Sequence, residues 1–106
     1  MSNLTVHHSG PLHGEAQAPG DKSISHRALM FGALAAGASR VTGFLPCGDC
    51  LATLGCLQAL GVRVEQHDAT TVTVHGQGLN GLSRPAAPLD CVRSGTTMRL
   101  LAGILA

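Results

Sequence analysis

Apolar positions along this chain recur at two spacings, and the first long stretch has the helical one. Leu29, Met30 and Ala33 fall on one side of a helix. They predict a helix over residues 23–36, and Gly37 follows as a residue that can end it.

A second stretch with helical spacing covers residues 50–60, where leucines recur near one face. Asp49 directly precedes it and is a suitable N-cap. A third helix is predicted over residues 97–106, with Ser94 or Thr96 as its cap.

Shorter segments alternate apolar and polar residues, as strands with one buried face do. They cover residues 39–44, 62–67, 71–75 and 89–92. Residues 68–70 are expected to join two of them as a hairpin. The polar, glycine-containing residues 4–18 form either an extended strand or an arm.

The order of these elements predicts a mixed α/β fold, built on a β-α-β-α-β-β repeat unit that is followed by the start of a second. We divide the chain into an N-terminal arm or strand over 1–20, a first unit over 21–88, and the first strand and helix of the next unit over 89–106. The last helix has no capping residue at its end, and its apolar face lacks a partner. We therefore expect an N-terminal fragment of a longer protein, in which the remaining chain or a second copy covers that helix.

Composition excludes several classes of function. The chain has 106 residues, of which 44% are hydrophobic and 12% charged, so it is expected to fold as one small domain. Its net charge of +1 gives no general field for nucleic acid or a membrane surface, and anion binding must be local. Two phenylalanines are the only aromatic residues, which argues against base stacking. Neither a membrane-spanning run nor a signal-peptide pattern is present, so we expect a cytoplasmic protein.

Cys47 and Cys50 have Cys-x-x-Cys spacing, which allows a redox pair or half of a zinc site. A zinc site would need a second close pair, and Cys56 and Cys91 stand apart in the sequence. We favour the interpretation of small, partly buried thiols around a helix start in a reducing compartment. Neither a metal nor a cofactor is expected.

The strongest chemical signal is GDKSISHR, residues 20–27, at the start of the first predicted helix. A helix N-terminus has unpaired N–H groups and partial positive charge, to which Lys22 and Arg27 add full charges. Ser23 lies four residues before Arg27 on one helix face and can cap the helix, bind a ligand oxygen, or both. Such a site suits a substrate with more than one anionic group. The alternative is an ordinary capped surface helix, on which His26 is a hydrogen-bonded histidine of the first turn.

A second segment of the same kind is RSGTTMR, residues 93–99, between a predicted strand and the third helix. Its backbone N–H groups can bind an anion, and Gly95 allows a ligand close to the main chain. Plain helix capping would also explain this segment. If both helix starts face one cleft, they would hold two anionic groups or two anionic substrates.

These segments carry a resemblance to one enzyme family. Residues 19–29, PGDKSISHRAL, resemble the N-terminal signature of the EPSP synthases, the 3-phosphoshikimate 1-carboxyvinyltransferases. The similarity continues through LQALGV, residues 57–62, and SGTTMRL, residues 94–100, and covers nearly the whole chain. A sibling family of enolpyruvyl transferases acting on a UDP-sugar shares that fold but has a different lysine motif.

The resemblance implies transfer of the carboxyvinyl group of phosphoenolpyruvate to shikimate 3-phosphate, with release of phosphate, in aromatic amino acid biosynthesis. The implied route is addition–elimination through a tetrahedral intermediate without a metal, between the two lobes of a larger enzyme. By the same resemblance, Lys22 would be catalytic and would contact both substrates. Ser23 and Arg27 would bind shikimate 3-phosphate, while Gly95 and Thr96 would bind phosphoenolpyruvate.

The sequence departs from the family pattern in two ways. The family's second turn usually begins Gly-Asn, whereas this chain has Val92-Arg93, a change that would tighten or block anion binding or alter the response to glyphosate. Family members are also several times longer, so this chain alone is not expected to catalyse the reaction. The alternative function is a stand-alone anion-binding or assembly module without catalysis.

Overall fold

The computed structural model describes residues 2–106, which contain three α-helices and three β-strands. In chain order the elements are α1 (Lys22–Leu34), β1 (Ala36–Thr42), α2 (Gly48–Ala59), β2 (Arg63–Asp68), β3 (Thr71–Gln77) and α3 (Gly95–Leu105). None of the helices in this part of the chain combines the length and the apolar character needed to cross a membrane. The predicted mixed α/β fold class is confirmed.

The three strands form one antiparallel sheet in the order β1-β3-β2, so β3 is central. The predicted hairpin joins β2 to β3, and the Asp68 carboxylate holds its turn by accepting the Thr70 backbone N–H at 2.9 Å. The ladder between β1 and β3 is regular from end to end, whereas the β2 ladder shifts register between Gln66 and Asp68. The central strand β3 therefore pairs along both edges, and the helices pack on it.

Large apolar side chains pack α1 and α2 against this sheet. Leu29 of α1 and Leu57 of α2 are buried together with Val72 and Val74 of the central strand. Phe44, between β1 and α2, belongs to the same core. Burial contributes about 1.5–3 kcal/mol for each large apolar side chain, so this layer holds α1 and α2 against the sheet.

The closest backbone approach in the core lies at Gly76, a buried residue of β3. A side chain there would collide with the carbonyl oxygens of Gly32 and Ala35, at the C-terminal end of α1. The Ala35 carbonyl also accepts the Gly78 N–H at 3.0 Å. The missing side chain thus lets α1 end directly on the central strand.

The predicted end of α1 and the predicted cap of α2 are wrong. α1 ends at Leu34, and Gly37 lies inside β1 with a φ of 115° instead of ending the helix. The physical reason is that pairing with β3 already begins at Ala36. α2 begins after the N-cap Cys47, so Asp49 lies in its first turn and does not cap it.

The strand predicted over residues 89–92 is also wrong. The segment is a turn in which the Asp90 carboxylate accepts the Val92 N–H at 2.7 Å and the Cys91 carbonyl accepts the Ser94 N–H at 2.9 Å. Local bonds of this kind compete with a β-ladder. Val92 has a left-handed φ of 55°, which is incompatible with a strand.

Residues 2–20 contain neither a helix nor a strand, and all of them except Gly20 are exposed. Met1, the first residue of the predicted arm, lies outside the described residues. Gly20 fixes the end of this segment, because a Cβ there would lie 2.6 Å from the Gly43 carbonyl oxygen. The chain is therefore anchored immediately before α1 begins.

Substituting Gly76 with alanine should destabilise the protein by about 2 kcal/mol or more, because the added Cβ forces the end of α1 away from β3. The matched control is Gly55→Ala in the middle of α2, where a Cβ meets nothing within 4 Å. That change should stabilise the protein by about 0.5–1 kcal/mol, since alanine is the better helix former. Urea unfolding measures both, and equal midpoints would contradict the packing argument.

Candidate anion-binding site

Asp21 caps the N-terminus of α1. Its carboxylate oxygen Oδ2 accepts the Ile24 backbone N–H at 2.8 Å. Ser23, which the sequence offered as a cap, lies in the first turn of α1 and is exposed. Its hydroxyl therefore remains at the surface, where the second suggested role, binding a ligand oxygen, is open to it.

The two cationic side chains of α1 lie at the same end of the helix. Lys22 Nζ forms an ion pair with Asp49 Oδ2 at 3.3 Å, and the two side chains are 53% and 37% exposed. Arg27 Nη1 donates to the Ser23 carbonyl oxygen at 2.9 Å, which folds the guanidinium back along the first turn. Both cations are thus held near the helix start by contacts that water can reach.

The start of α3 is built in a similar way. Ser94 is the N-cap, as one of the two predicted alternatives had it, and its hydroxyl accepts the Thr97 N–H at 3.0 Å. The helix begins at Gly95, two residues before the predicted start, and both Gly95 and Thr96 are partly exposed. The Arg99 guanidinium occupies the space beside Gly95 that a Cβ would need. A cation therefore lies directly over the glycine of this helix start.

The first turns of all three helices meet at one place. Asp49, in the first turn of α2, bonds Lys22 of α1 through its carboxylate and Thr97 of α3 through its carbonyl oxygen, at 3.3 and 3.4 Å. The Cys50 thiol donates to the Lys22 carbonyl oxygen at 3.5 Å. The structure thus brings both predicted segments to the same end of the fold. Three helix N-termini also add partial positive charge there.

A buried chain of hydrogen bonds lies beneath this meeting point. His26 Nδ1 is 2.7 Å from Thr53 Oγ1, Thr53 Oγ1 is 2.6 Å from Thr97 Oγ1, and Thr97 Oγ1 is 2.6 Å from Ser94 Oγ. All four residues are buried. The chain therefore joins α1, α2 and α3, and it confirms the prediction of a hydrogen-bonded His26.

Burial lowers the pKa of His26 below its ordinary value of 6.5. The nearby Asp49 carboxylate opposes that shift, while Lys22 and Arg27 add to it. His26 is therefore a neutral imidazole at neutral pH, able to donate through one ring nitrogen and accept through the other.

The Cys47 and Cys50 thiols contact each other at the start of α2. Burial raises the pKa of Cys50 to about 12, and the neighbouring Cys47 thiol adds to the rise. Burial also acts to raise the pKa of Cys47, but hydrogen bonds with Cys50 and its neighbours leave it below its usual value. Among residues 2–106, no group of three or more His, Cys, Asp or Glu side chains is arranged to hold a metal ion. The pair fits partly buried thiols packed around a helix start.

The described residues line two well-formed cavities to which Lys22, Gly95 and Thr96 do not contribute. The larger, of about 630 Å³, lies between residues 17–20 and 42–46. The smaller, of about 180 Å³, is an apolar groove between α1 and α3 that Arg27 helps to line. Lys22 is exposed, and Gly95 and Thr96 are partly exposed.

Sequence reasoning missed three residues that organise the site: Asp21, Thr53 and the Asp49 carboxylate in its contact with Lys22. Asp21 had a local signal, since an aspartate just before a helical stretch is a common N-cap. Thr53 had a weaker one, a polar residue on the same helix face as buried leucines, which must find a partner. The ion pair of Asp49 joins residues 27 positions apart and had none.

These features define a class of protein: a mixed α/β unit that gathers helix N-termini and cationic side chains at a surface suited to an anionic substrate. The family model described as EPSP synthase (3-phosphoshikimate 1-carboxyvinyltransferase) matches residues 6–106. The chain belongs to the EPSP synthase family.

Individual relatives agree with this assignment. The chain is 53% identical over 106 residues to the 3-phosphoshikimate 1-carboxyvinyltransferase of Chloroflexus aurantiacus, covering 100% of this chain and 24% of that protein. It is 58% identical over 104 residues to the enzyme of the same name from Halorhodospira halophila, covering 98% and 23%. The solved EPSP synthase from Acinetobacter baumannii superposes with a TM-score of 0.80 at 51% identity, over 87% of this chain and 21% of that one. The chain therefore spans about a quarter of the length of the curated relatives it matches.

Replacing Val92 with glycine should stabilise the protein by about 0.5–1 kcal/mol. A β-branched residue at a φ of 55° is strained, and glycine adopts that conformation freely at some cost in unfolded-chain entropy. Because Val92 is 69% exposed, the change removes little packing. The control is Val92→Ala, which keeps a Cβ and should gain less. Urea midpoints compare the three proteins, and a loss of stability in Val92→Gly would contradict the strain.

His26 should make the protein less stable in acid. Its folded pKa is lowered, so the unfolded chain takes up a proton near pH 6.5 while the folded chain does not. The contribution of His26 to the free energy of unfolding is therefore complete above about pH 6.5, and it declines as the pH falls toward the pKa of His26 in the folded protein.

The matched variant is His26→Asn, in which an amide takes the place of Nδ1 but cannot titrate. Thermal unfolding midpoints of the two proteins should converge as the pH falls from about 7 to about 5, because only the wild type has this linkage. Parallel curves would contradict the assignment.

Proposed function

We propose that this chain is the N-terminal part of a 3-phosphoshikimate 1-carboxyvinyltransferase. The complete enzyme transfers the carboxyvinyl group of phosphoenolpyruvate to shikimate 3-phosphate, gives 5-enolpyruvylshikimate 3-phosphate and phosphate, and serves aromatic amino acid biosynthesis. Family membership supports this, and so does one observation above all: Asp49 bonds both α1 and α3, so that the two anion-binding segments meet.

In this proposal the residues of α1 bind shikimate 3-phosphate. Ser23 offers its exposed hydroxyl and Arg27 its guanidinium, which is already held near the helix start through the Ser23 carbonyl oxygen. An arginine fork matches the oxygens of a phosphate or carboxylate, and the helix N-terminus adds partial positive charge. The contacts place hydroxyl and cation within one turn of each other, as a phosphorylated ligand requires.

Gly95 and Thr96 bind phosphoenolpyruvate in this proposal. They form the first turn of α3, where backbone N–H groups are unpaired and the absence of a side chain on Gly95 permits close approach. Arg99 lies beside Gly95, so a cation is available to the carboxylate or phosphate of the ligand.

Lys22 is the catalytic residue in this proposal and contacts both substrates. Its ammonium lies at the first residue of α1 and reaches across to α2, on the side where Thr97 of α3 also bonds. A mobile point charge suits a position between two anionic substrates. In the addition, the substrate hydroxyl oxygen bonds C2 of phosphoenolpyruvate and loses its proton, while C3 gains a proton. In the elimination, the bond from C2 to the phosphate oxygen breaks, C3 loses a proton and the double bond forms again. Positioning with electrostatic stabilisation assists both steps.

The remainder of the enzyme chain is the partner we propose for the apolar surface of this unit. Phe31 of α1 is 69% exposed and lines the groove of about 180 Å³ together with Leu100 and Ile104 of α3. Exposed apolar patches of this kind mark docking surfaces. The free thiols of all four cysteines fit a reducing compartment, so the proposal includes a cytoplasmic location.

Lys22→Met should lower kcat/KM of the complete polypeptide containing this chain by about 100-fold or more, because it removes the cation between the two substrates. The matched control is Arg63→Met on the edge strand β2, an exposed cation that pairs with Glu65 of the same strand. It should change kcat/KM by no more than about 2-fold. Phosphate release from phosphoenolpyruvate in the presence of shikimate 3-phosphate measures both.

Equal activity of Lys22→Met and wild type would contradict the role of Lys22. If the wild-type polypeptide bound shikimate 3-phosphate saturably but released no phosphate, the transferase would be wrong and the stand-alone anion-binding module would be correct. Amide chemical shifts at Ser23 and Arg27 during a titration with shikimate 3-phosphate supply that binding measurement.

A further inference from the structure

We propose that His26, Thr53 and Thr97 are positioning residues, whose hydrogen bonds align the start of α3 with the start of α1 for the reaction. The inference rests on the proposed function, because it concerns the two substrate-binding segments named there. None of the three is itself among the residues proposed to touch substrate.

The geometry that supports this is continuous across three helices. His26 of α1 bonds Thr53 of α2 at 2.7 Å, and Thr53 bonds Thr97 of α3 at 2.6 Å. Thr97 then bonds the Ser94 hydroxyl at 2.6 Å, which caps the helix. His26, Thr53 and Thr97 are 0% exposed, so water cannot replace any of these partners.

Each end of the hydrogen-bonded series from His26 to Thr97 lies next to a residue proposed to contact substrate. His26 directly precedes Arg27, and Thr97 directly follows Thr96. Thr53 lies on α2, which supplies none of the proposed substrate contacts, so its hydroxyl acts on the site only through its two neighbours. A displacement of about 1 Å in a substrate-binding group can cost about 100-fold in rate. A change at Thr53 therefore tests alignment without removing a ligand.

The hydrogen bonds also fix one proton order. Thr97 Oγ1 donates to Ser94 Oγ, so its single proton is used there and Thr53 must donate to Thr97. Thr53 then has no proton left for His26, so His26 Nδ1 carries the ring proton and donates to Thr53. The cap of α3 therefore determines the tautomer of His26, although His26 lies in α1.

The other ring nitrogen of His26 agrees with this order. Nε2 is buried and has no hydrogen-bond partner among the described residues. As a lone pair it leaves no buried N–H without an acceptor. The ¹⁵N chemical shifts of the ring report which nitrogen holds the proton.

The kinetic test uses Thr53→Val in the complete polypeptide. Valine has nearly the same shape but leaves His26 Nδ1 and Thr97 Oγ1 without their partner. Asp21 still caps α1, so the segment for shikimate 3-phosphate should be affected less than the start of α3. We expect KM for phosphoenolpyruvate to rise about 10-fold or more, while KM for shikimate 3-phosphate stays within about 2-fold.

Thr53→Ser is the matched control, because it keeps the hydroxyl and should restore both KM values to within about 2-fold of wild type. If Thr53→Val does not fold, Thr97→Val breaks the same contact from α3 and is judged by the same pair of KM values. In the wild type, the ¹⁵N shifts of the His26 ring should place its proton on Nδ1, and a proton on Nε2 would contradict the hydrogen-bond order that joins His26 to Ser94.

The outcomes separate this inference from the function on which it rests. A wild-type polypeptide without turnover overturns both. If the wild type turns over and Thr53→Val has unchanged KM values, the proposed transferase stands and the inference is overturned. The hydrogen bonds of Thr53 would then serve stability alone, even if the thermal midpoint of the variant falls. Equal rises in both KM values would also overturn the inference, because the hydrogen bonds of Thr53 would then support the whole site and not specifically align α3.

Discussion

The buried Thr53 hydroxyl is the contact on which the arrangement of the helices depends. It bonds His26 on one side and Thr97 on the other, and no other single side chain in the described residues touches both α1 and α3 by hydrogen bonds. Leaving a buried polar group without its partner costs about 1–3 kcal/mol, and separating α1 from α2 leaves the His26 ring without its hydrogen bond. The packing of α1 on the sheet through Gly76 fixes the other end of that helix. Between these two constraints, the first turn of α1 has one position relative to α3.

Gathering helix N-termini has an electrostatic cost, which two carboxylates offset. Asp21 caps α1, and Asp49 lies in the first turn of α2 beside Lys22. Because the pair of Lys22 and Asp49 is substantially exposed, it contributes only about 0–1 kcal/mol. In the proposed function, a phosphate with two charges therefore takes Lys22 from Asp49 at little cost. The Asp49 carboxylate offsets the charge of Lys22 without holding the ammonium firmly.

The elements with strong periodicity were predictable from the sequence, whereas the binding roles of the two helix starts stay predictions. The helices around Leu29 and Leu57 and the hairpin before Thr71 formed where local patterns placed them. The strand predicted over residues 89–92 was wrong because the alternation of apolar and polar residues does not reveal that the Asp90 carboxylate accepts a backbone N–H two residues further on. The role of Thr53 could not be predicted from the sequence, because its hydrogen-bond partners lie 27 and 44 positions away along the polypeptide.

Val92 departs from the family pattern, and its backbone is held next to the hydrogen bonds that fix the start of α3. The residue has a left-handed φ of 55°, which suits the glycine usual in the family and strains a valine by about 1–2 kcal/mol. The turn cannot relax toward α3, because Ser94 is fixed by its bonds to Thr97. It cannot relax toward the preceding loop either, because the Asp90 carboxylate holds the Val92 N–H. The strain therefore stays within the turn, and the start of α3 keeps its place beside α1 in spite of the valine.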